Sequence, residues 1–291
     1  MRSFSYAAPS SLHDATRLLA SANGGAKLLA GGTDILVQLR EGLRDAELVI
    51  DIKRIPELME LHFSPQQGLK LGASVPCYRL YESAELQKAY SALTDAARIV
   101  GGWQIQSRAS VGGNLCNSSP AADTIPALIA LRALCRIART DGTREVRAED
   151  FCVAPGRNLL EKGELLITIE LPPPAPNSGS AYERFIPRNE MDIAVVGVAA
   201  AVQLSAAGDR IETGRIAIGA VAPTPKLAAE ASDFLIGKPA TEETFAEAGE
   251  LAKKVASPIS DMRGTAEFRT HLVGVLVKRI LAKAVERARG H

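Results

Sequence analysis

Apolar residues near the amino terminus recur at the spacing of one face of an α-helix. These positions are Leu12, Ala15, Leu18 and Leu19. Ser10 or Ser11 can cap the start of this helix, and Gly24-Gly25 ends the pattern. A short apolar run, a glycine pair and a second apolar segment follow, and this order predicts a strand, a tight turn and a helix.

The pattern between this helix and the proline-rich segment predicts a mixture of strands and helices. The expected elements are strands at 27–30, 48–52 and 164–171, a hairpin within 58–75, and helices at 35–40, 86–100 and 122–131. Residues 107–120 are rich in glycine and polar residues, so we expect a loop there.

The clearest boundary in the chain is the proline-rich segment 172–179. Proline has no amide to donate to a strand ladder, so we expect a linker at this point. Beyond it, strand-like runs at 193–204 and 211–221 precede a helix from about 244 and a long final helix at 264–287. Strands grouped ahead of helices favour an α+β arrangement over a βαβ succession.

Composition and charge narrow the classes of function. A chain of 291 residues with 46% hydrophobic and 23% charged residues is typical of a globular protein of about two domains. A net charge of +1 argues against the basic surface of a nucleic-acid-binding protein. No run approaches the ~20 apolar residues of a membrane span. The polar start lacks the apolar region of a secretory signal, so we expect a cytoplasmic protein with no nucleic-acid partner and no membrane span.

The cysteines and histidines show no metal-ligand spacing. They are Cys77, Cys116, Cys135, Cys152, His13, His62, His271 and His291. We therefore expect four reduced thiols and no metal held by this chain alone.

The first candidate binding segment is a glycine pair that follows a predicted strand. It comprises Lys27, Leu28, Leu29, Ala30, Gly31, Gly32, Thr33, Asp34 and Ile35. Paired glycines let the backbone approach a ligand closely, and amides that converge on one concavity can hold phosphate oxygens. A glycine pair after a strand is also typical of a plain tight turn, so this segment alone does not decide between the two.

A second glycine pair strengthens the prediction of a dinucleotide ligand. The segment comprises Ser110, Val111, Gly112, Gly113 and Asn114. Two separate glycine-paired segments fit a diphosphate bound from both sides, as FAD requires. Neither has the G-x-G-x-x-G spacing of a Rossmann fold. Asp123 follows shortly after, where its carboxylate can accept from a ribose hydroxyl or cap the helix that it opens.

Five segments occur together in an order that resembles the flavoprotein subunit of the xanthine dehydrogenase and carbon monoxide dehydrogenase family. They are KLLAGGTDI at 27–35, QIQSRASVGGNL at 104–115, SPAADTIPAL at 119–128, ELLITIELP at 164–172 and RNEMDIA at 188–194. The resemblance implies an α+β fold. A FAD-binding domain of the vanillyl-alcohol oxidase (PCMH) type, built from two subdomains, would occupy residues 1–174. A smaller α+β domain would occupy 175–291.

The resemblance also implies residue roles. The two glycine segments would bind the pyrophosphate, and Asp123 would reach the ribose of the adenosine half. Leu166 would line the flavin or adenine pocket. Arg184 stands where relatives often have a lysine near the ring. Ile193 would pack near the isoalloxazine, with a place in the structural core as the alternative.

The implied function is an electron-transfer subunit that holds FAD while partner chains carry the other cofactors. A large subunit would hold the molybdenum cofactor and a small subunit the two-iron two-sulfur clusters, in a dimer of heterotrimers as is usual for the family. Electrons would leave from FAD to an external acceptor, with no catalytic acid, base or nucleophile on this chain. The benzoyl-CoA reductase branch of the family has a cysteine-bearing loop here that binds an additional four-iron cluster. In this chain the interval 115–122 is short and its one cysteine is Cys116, so this cluster is not expected. A stand-alone flavin oxidoreductase and a non-enzymatic nucleotide-binding module are the alternatives.

Overall fold

Residues 5–51 form a small parallel sheet with helices between its strands, as the computed structural model, which describes residues 2–290, shows. Its elements are β1 (Ser5–Ala7), α1 (Leu12–Ser21), β2 (Ala26–Leu29), α2 (Ile35–Arg40) and β3 (Leu48–Asp51). The strand order is β1-β3-β2, with both pairs parallel. The Ser11 hydroxyl accepts from the Asp14 amide at 3.1 Å, so the predicted cap and helix are confirmed. Met1 and His291 lie outside the described residues.

A five-stranded antiparallel sheet forms the second layer of this part of the chain. Its strands are β4 (Leu61–Ser64), β5 (Gly68–Gly72), β6 (Leu134–Arg139), β7 (Gly142–Arg147) and β10 (Leu165–Leu171), in the order β4-β5-β10-β6-β7. A small hairpin, β8 (Cys152–Ala154) and β9 (Arg157–Asn158), lies between β7 and β10 in sequence. Strand β10 is central and almost fully buried, which explains its apolar sequence.

Short helices surround this sheet, and two of them replace a single predicted helix. They are α3 (Tyr78–Tyr81), α4 (Ala84–Ala89), α5 (Ser91–Ala97), α6 (Trp103–Gln106), α7 (Val111–Asn117), α8 (Thr124–Ala130) and α9 (Ala148–Phe151). The single helix predicted at 86–100 is wrong, because Tyr90 leaves the helical conformation at φ −135° and ψ 53°. Its hydroxyl donates to the Pro172 carbonyl at 2.8 Å and its ring packs edge-on against Phe63. These long-range contacts outweigh the local helical pattern.

The carboxy-terminal part is an antiparallel sheet covered by helices. It contains β11 (Ser178–Phe185), β12 (Val196–Leu204), β13 (Ile211–Gly219), β14 (Lys226–Leu227), α10 (Ala229–Phe234), α11 (Glu242–Ala252) and α12 (Ala266–Arg289). The strand order is β11-β12-β13-β14, and the α+β class is confirmed. Strand β11 was not predicted, since its polar sequence resembles a loop; pairing with β12 from Ser178↔Gln203 to Phe185↔Val196 stabilises it.

The predicted strand at 193–204 begins later than expected, at Val196. Ile193 precedes it and is 54% exposed, so the structural-core alternative for this residue is wrong. None of the helices within residues 2–290 combines the length and apolar character that a membrane crossing needs.

The two parts of the chain pack directly on each other. Helices α5 and α8 lie against the sheet formed by β11, β12 and β13. The Asp95 carboxylate on α5 accepts from the Tyr182 amide at 3.2 Å and from two nitrogens of Arg287 on α12 at 2.6 and 3.0 Å. As a result, β11 lies beside the start of α8, which Asp123 precedes.

Candidate functional site

A cleft of about 740 Å³ opens among the parallel sheet, helix α7 and strand β10. The site residues expected from the sequence that line it are Lys27, Leu28, Ala30, Gly31, Gly32, Thr33, Asp34, Ile35, Ser110, Gly112, Gly113, Asn114, Asp123 and Leu166. Ile193 also lines it. A volume of this size is within the range of ligand pockets, roughly 300–1,000 Å³. Both glycine segments thus border one concavity.

The first glycine segment turns sharply between β2 and α2. Gly32 has φ +82°, a conformation that glycine adopts without strain. A Cβ on Gly31 would lie 2.0 Å from the Arg108 carbonyl oxygen, so this glycine allows the turn to contact the chain just before the second glycine segment. In the described part of the chain, the amides of Gly32, Thr33 and Asp34 donate to no other protein group. They remain available to a ligand anion.

The second glycine segment is helical, which corrects the prediction of a loop over 107–120. Ser110 is the N-cap of α7, and its hydroxyl accepts from the Gly113 amide at 3.0 Å. A Cβ on Gly112 would lie 2.4 Å from the Ala73 carbonyl oxygen, so Gly112 is needed for packing. A Cβ on Gly113 would meet only the Ser110 hydroxyl, at 3.0 Å. Gly113 is therefore the member of this pair that leaves space for a ligand.

Side-chain hydrogen bonds join the two segments. The Asn117 amide donates to Oδ1 of Asp34 at 3.3 Å and accepts from Gln38 at 3.2 Å. Lys53 supports the same turn, since its ammonium donates to the Ala30 carbonyl at 2.9 Å. Asn117 and Lys53 were missed by sequence reasoning, because nothing in their spacing marks them as part of the site.

Three expected site residues, Leu29, Val111 and Arg184, are not among the residues that line the cleft. Val111 is 1% exposed, and the Arg184 side chain is 7% exposed. Arg184 instead contacts Asp123, with Nη1 2.7 Å from Oδ2. Arg184 therefore influences the cleft indirectly, by its contact with the Asp123 carboxylate.

Asp123 is a buried carboxylate that lines the cleft. The Tyr182 hydroxyl donates to its Oδ1 at 2.9 Å, while Arg184 donates to Oδ2. Its side chain makes no capping hydrogen bond to α8, so the helix-cap alternative is wrong. Burial raises the pKa of Asp123 to about 6, against the opposing effects of Arg184 and Tyr182. Near neutral pH this carboxylate is mostly ionised, and a small fall in pH protonates it.

The four cysteines are free thiols. Burial raises the pKa of Cys77 and of Cys116 to about 12, so both remain protonated and are poor nucleophiles. Within residues 2–290, no cluster of three or more histidine, cysteine or acidic side chains has a geometry suited to a metal ion.

Comparisons with known families support the resemblance found in the sequence. Residues 2–174 match the family described as the FAD binding domain in molybdopterin dehydrogenase. Residues 180–284 match the CO dehydrogenase flavoprotein C-terminal domain. The two matches follow each other along the chain in that order.

Individual relatives match along nearly the whole chain. The xanthine dehydrogenase FAD-binding subunit of Escherichia coli O157:H7 is 33% identical over 98% of this chain and 97% of its own length. The carbon monoxide dehydrogenase medium chain of Hydrogenophaga pseudoflava is 32% identical over 97% of this chain and 96% of its own. A solved structure of carbon monoxide dehydrogenase from that organism, lacking the Mo-pyranopterin moiety, superimposes with a TM-score of 0.93 at 33% identity, covering 98% of each chain.

Proposed function

This chain belongs to the family of FAD-binding domains in molybdopterin dehydrogenases, and on that premise we propose that it is the electron-transfer subunit of a molybdenum-containing hydroxylase. It holds FAD in the cleft and passes electrons from iron–sulfur clusters on a partner subunit to an external acceptor. The proposal rests on the observation that both glycine segments line the same cleft. A hydrogen bond between Asn117 and Asp34, which are 83 residues apart in sequence, links the two sides.

The residues present fit a dinucleotide diphosphate. The free amides of Gly32, Thr33 and Asp34 supply donors on one side of the cleft. On the other side, Gly113 leaves the space that a side chain would fill. The free amides would hold phosphate oxygens, because backbone amides that converge at a turn bind anions, and the space beside Gly113 would admit the other phosphate.

The other site residues take places along the same cleft in this proposal. Asp123 accepts from a ribose hydroxyl, and Arg184 contributes by pairing with Asp123. Leu166 lines the pocket and Ile193 lies near the ring. When bound, FAD supplies the ability to take up and release electrons one or two at a time. The protein binds, orients and shields it, and no side chain acts as a catalytic acid, base or nucleophile.

The assembly follows from the same premise. A large subunit with the molybdenum cofactor and a small subunit with two-iron two-sulfur clusters would join this chain, in a dimer of heterotrimers. Residues 1–174 would form the FAD-binding domain and 175–291 the carboxy-terminal domain. A cytoplasmic location stays a prediction.

Purification of the full chain with its associated subunits tests the proposal. We expect a yellow protein that releases FAD on denaturation, with molybdenum and iron in the associated subunits. A colourless protein that takes up no FAD would contradict it. The alternative, a stand-alone FAD-dependent oxidoreductase, is favoured if the isolated chain turns over an organic substrate without partners.

An exposed apolar surface borders the cleft. We call it the mouth patch, and it consists of Trp103, Met191 and Ile193, which are 86%, 52% and 54% exposed. The Gln104 side chain lies 3.3 Å from the Met191 sulfur, which joins the segments that carry the patch. Exposed apolar patches beside a functional site are typical of protein contacts. The mouth patch is therefore the surface proposed to contact a partner subunit.

Trp103→Ser is expected to weaken subunit association about thirtyfold, or about 2 kcal/mol, as for a central aromatic anchor. FAD content should not change, since Trp103 is not part of the cleft wall. Titration of the partner subunits by calorimetry measures the effect. Leu43→Ser is the matched control, because Leu43 is 75% exposed and also outside the wall. Equal affinities for the two variants would remove the mouth patch from the interface.

A further inference from the structure

Tyr182 on β11 connects two carboxylates of the first part of the chain. Its hydroxyl donates to Oδ1 of Asp123 at 2.9 Å, and its backbone amide donates to Oδ2 of Asp95 at 3.2 Å. The side chain is buried, with the residue 3% exposed. Tyr182 and Arg184 are two residues apart on the strand, so their side chains share the face that meets Asp123.

Gly197 on β12 makes room for the Tyr182 hydroxyl. A Cβ on Gly197 would lie 2.6 Å from that oxygen. Gly197 pairs with Arg184 across the two strands, so it lies directly beside the contact with Asp123. A larger residue at this position would force the hydroxyl to move.

We propose that Tyr182 is a positioning residue of the cofactor site, whose hydroxyl orients the Asp123 carboxylate in the cleft and favours its ionised form. The inference rests on the proposed function, in which Asp123 accepts a hydrogen bond from the ribose. Tyr182 lies outside residues 2–174, the part matched by the FAD-binding domain family. A residue of the carboxy-terminal sheet therefore completes the FAD site.

Within residues 2–290, few charged or titratable groups surround this contact. Arg184 and Tyr182, both on β11, are the ones that act on Asp123. On the helices beside Asp123, Thr124 and Asn114 are uncharged and hydrogen-bond to each other at 2.6 Å. On the far side of Tyr182, Asp95 is paired with Arg287 of α12. Both the Tyr182 hydroxyl and Arg184 oppose the rise in the pKa of Asp123 that burial causes.

Tyr182→Phe tests the role, since it removes one oxygen and leaves the ring in place. The measurement is the dissociation constant of FAD from the full chain, determined by titration between pH 5 and pH 8. In the unaltered protein, affinity should fall as the pH drops through about 6, where Asp123 becomes protonated. In Tyr182→Phe, the midpoint of this fall should move upward by about one pH unit, because the ionised form has lost a donor. A purely structural role would lower affinity equally at every pH.

Two controls separate this inference from the proposed function. Tyr90→Phe removes a comparably buried hydroxyl that donates to the Pro172 carbonyl, and it should leave the midpoint unchanged. Asp123→Asn should bind FAD more weakly and without the fall near pH 6. If Asp123→Asn binds like the unaltered protein at every pH, the assignment of Asp123 to the FAD site is wrong. If only Tyr182→Phe lacks its shift, the positioning role alone is overturned.

Gly197→Ala tests the contact between Tyr182 and Asp123 in a second way, because it moves the Tyr182 hydroxyl instead of removing it. Its methyl group would lie 2.6 Å from the Tyr182 hydroxyl and force it to move, which disturbs the contact with Asp123 without removing either group. We expect an upward shift of the midpoint in the same direction as for Tyr182→Phe. An unshifted midpoint in Tyr182→Phe overturns the proposal whatever the alanine variant does.

Discussion

Gly32→Val and Gly113→Val are each expected to weaken FAD binding roughly tenfold to a hundredfold, the effect of losing one charge-assisted hydrogen bond of about 1.5–3 kcal/mol. Gly32 has φ +82°, which a β-branched residue does not tolerate, so the turn and its free amides would shift. Gly113 occupies the start of α7 beside the cleft, where a valine side chain would fill the space for a phosphate.

The measurement is the FAD-to-protein ratio after purification, with a dissociation constant from titration of the apoprotein. Gly42→Val is the matched control for the turn. Gly42 has φ +72°, and a Cβ there meets nothing within 4 Å, so the backbone strain is similar but lies outside the cleft. Gly113→Ala should give an intermediate loss. Normal FAD content in both valine variants would refute the placement of the diphosphate.

Arg184→Met is expected to lower the free energy of unfolding of the apoprotein by about 3–5 kcal/mol at pH 8, the usual cost of removing one partner of a buried ion pair. The Arg184 and Asp123 side chains are 7% and 9% exposed. Methionine keeps much of the volume but leaves the Asp123 charge with only the Tyr182 hydroxyl as a donor. Denaturant unfolding at fixed pH measures the loss.

The size of this loss should depend on pH. The pKa of Asp123 in the folded protein, about 6, is above the ordinary aspartate value of 3.8, so protonation of this carboxyl favours the folded state. That contribution is complete below about pH 4 and is lost as the pH rises through about 6. Without Arg184 the folded-state pKa rises further, so the neutral form persists to higher pH. The destabilisation should therefore be smaller at pH 5 than at pH 8.

Arg188→Met is the matched control, because Arg188 pairs with Asp192 at 3.2 Å but its side chain is 72% exposed. Such solvated pairs contribute about 0–1 kcal/mol, so we expect a loss in that range. A cost for Arg184→Met no larger than that of Arg188→Met would show that the buried pair contributes little to stability.

Local signals in the sequence were sufficient to predict helices α1 and α2 and strands β2 and β3 of the amino-terminal part. Helix α2 begins and ends at the predicted residues, and Ser11 caps α1 as expected. Both glycine segments are recognisable in the amino-acid sequence, because a turn with positive φ and a close backbone approach require glycine itself. For the carboxy-terminal part, the α+β class followed from the order of strands and helices, and for the amino-terminal part it followed from the family resemblance.

Other features depended on residues far apart in the chain. The predicted helix at 86–100 breaks at Tyr90, whose hydroxyl bonds to Pro172, 82 positions away. Helix α7 replaces a predicted loop because Gly112 packs on Ala73, and β11 forms by pairing with β12. In each case, tertiary contacts outweigh a weak local preference.

The amino-acid sequence by itself determined the turn at Gly31-Gly32, the helix capped by Ser11 and the kind of ligand that paired glycines suit, since these depend on the conformational limits of a few adjacent residues. Only the tertiary structure decided that the two glycine segments line one cleft and that Tyr182 and Arg184 hold Asp123, 59 and 61 residues away in sequence. The physical reason is burial: the orientation and charge of a carboxylate withdrawn from water depend on the donors that folding brings to it, and sequence spacing does not identify those donors.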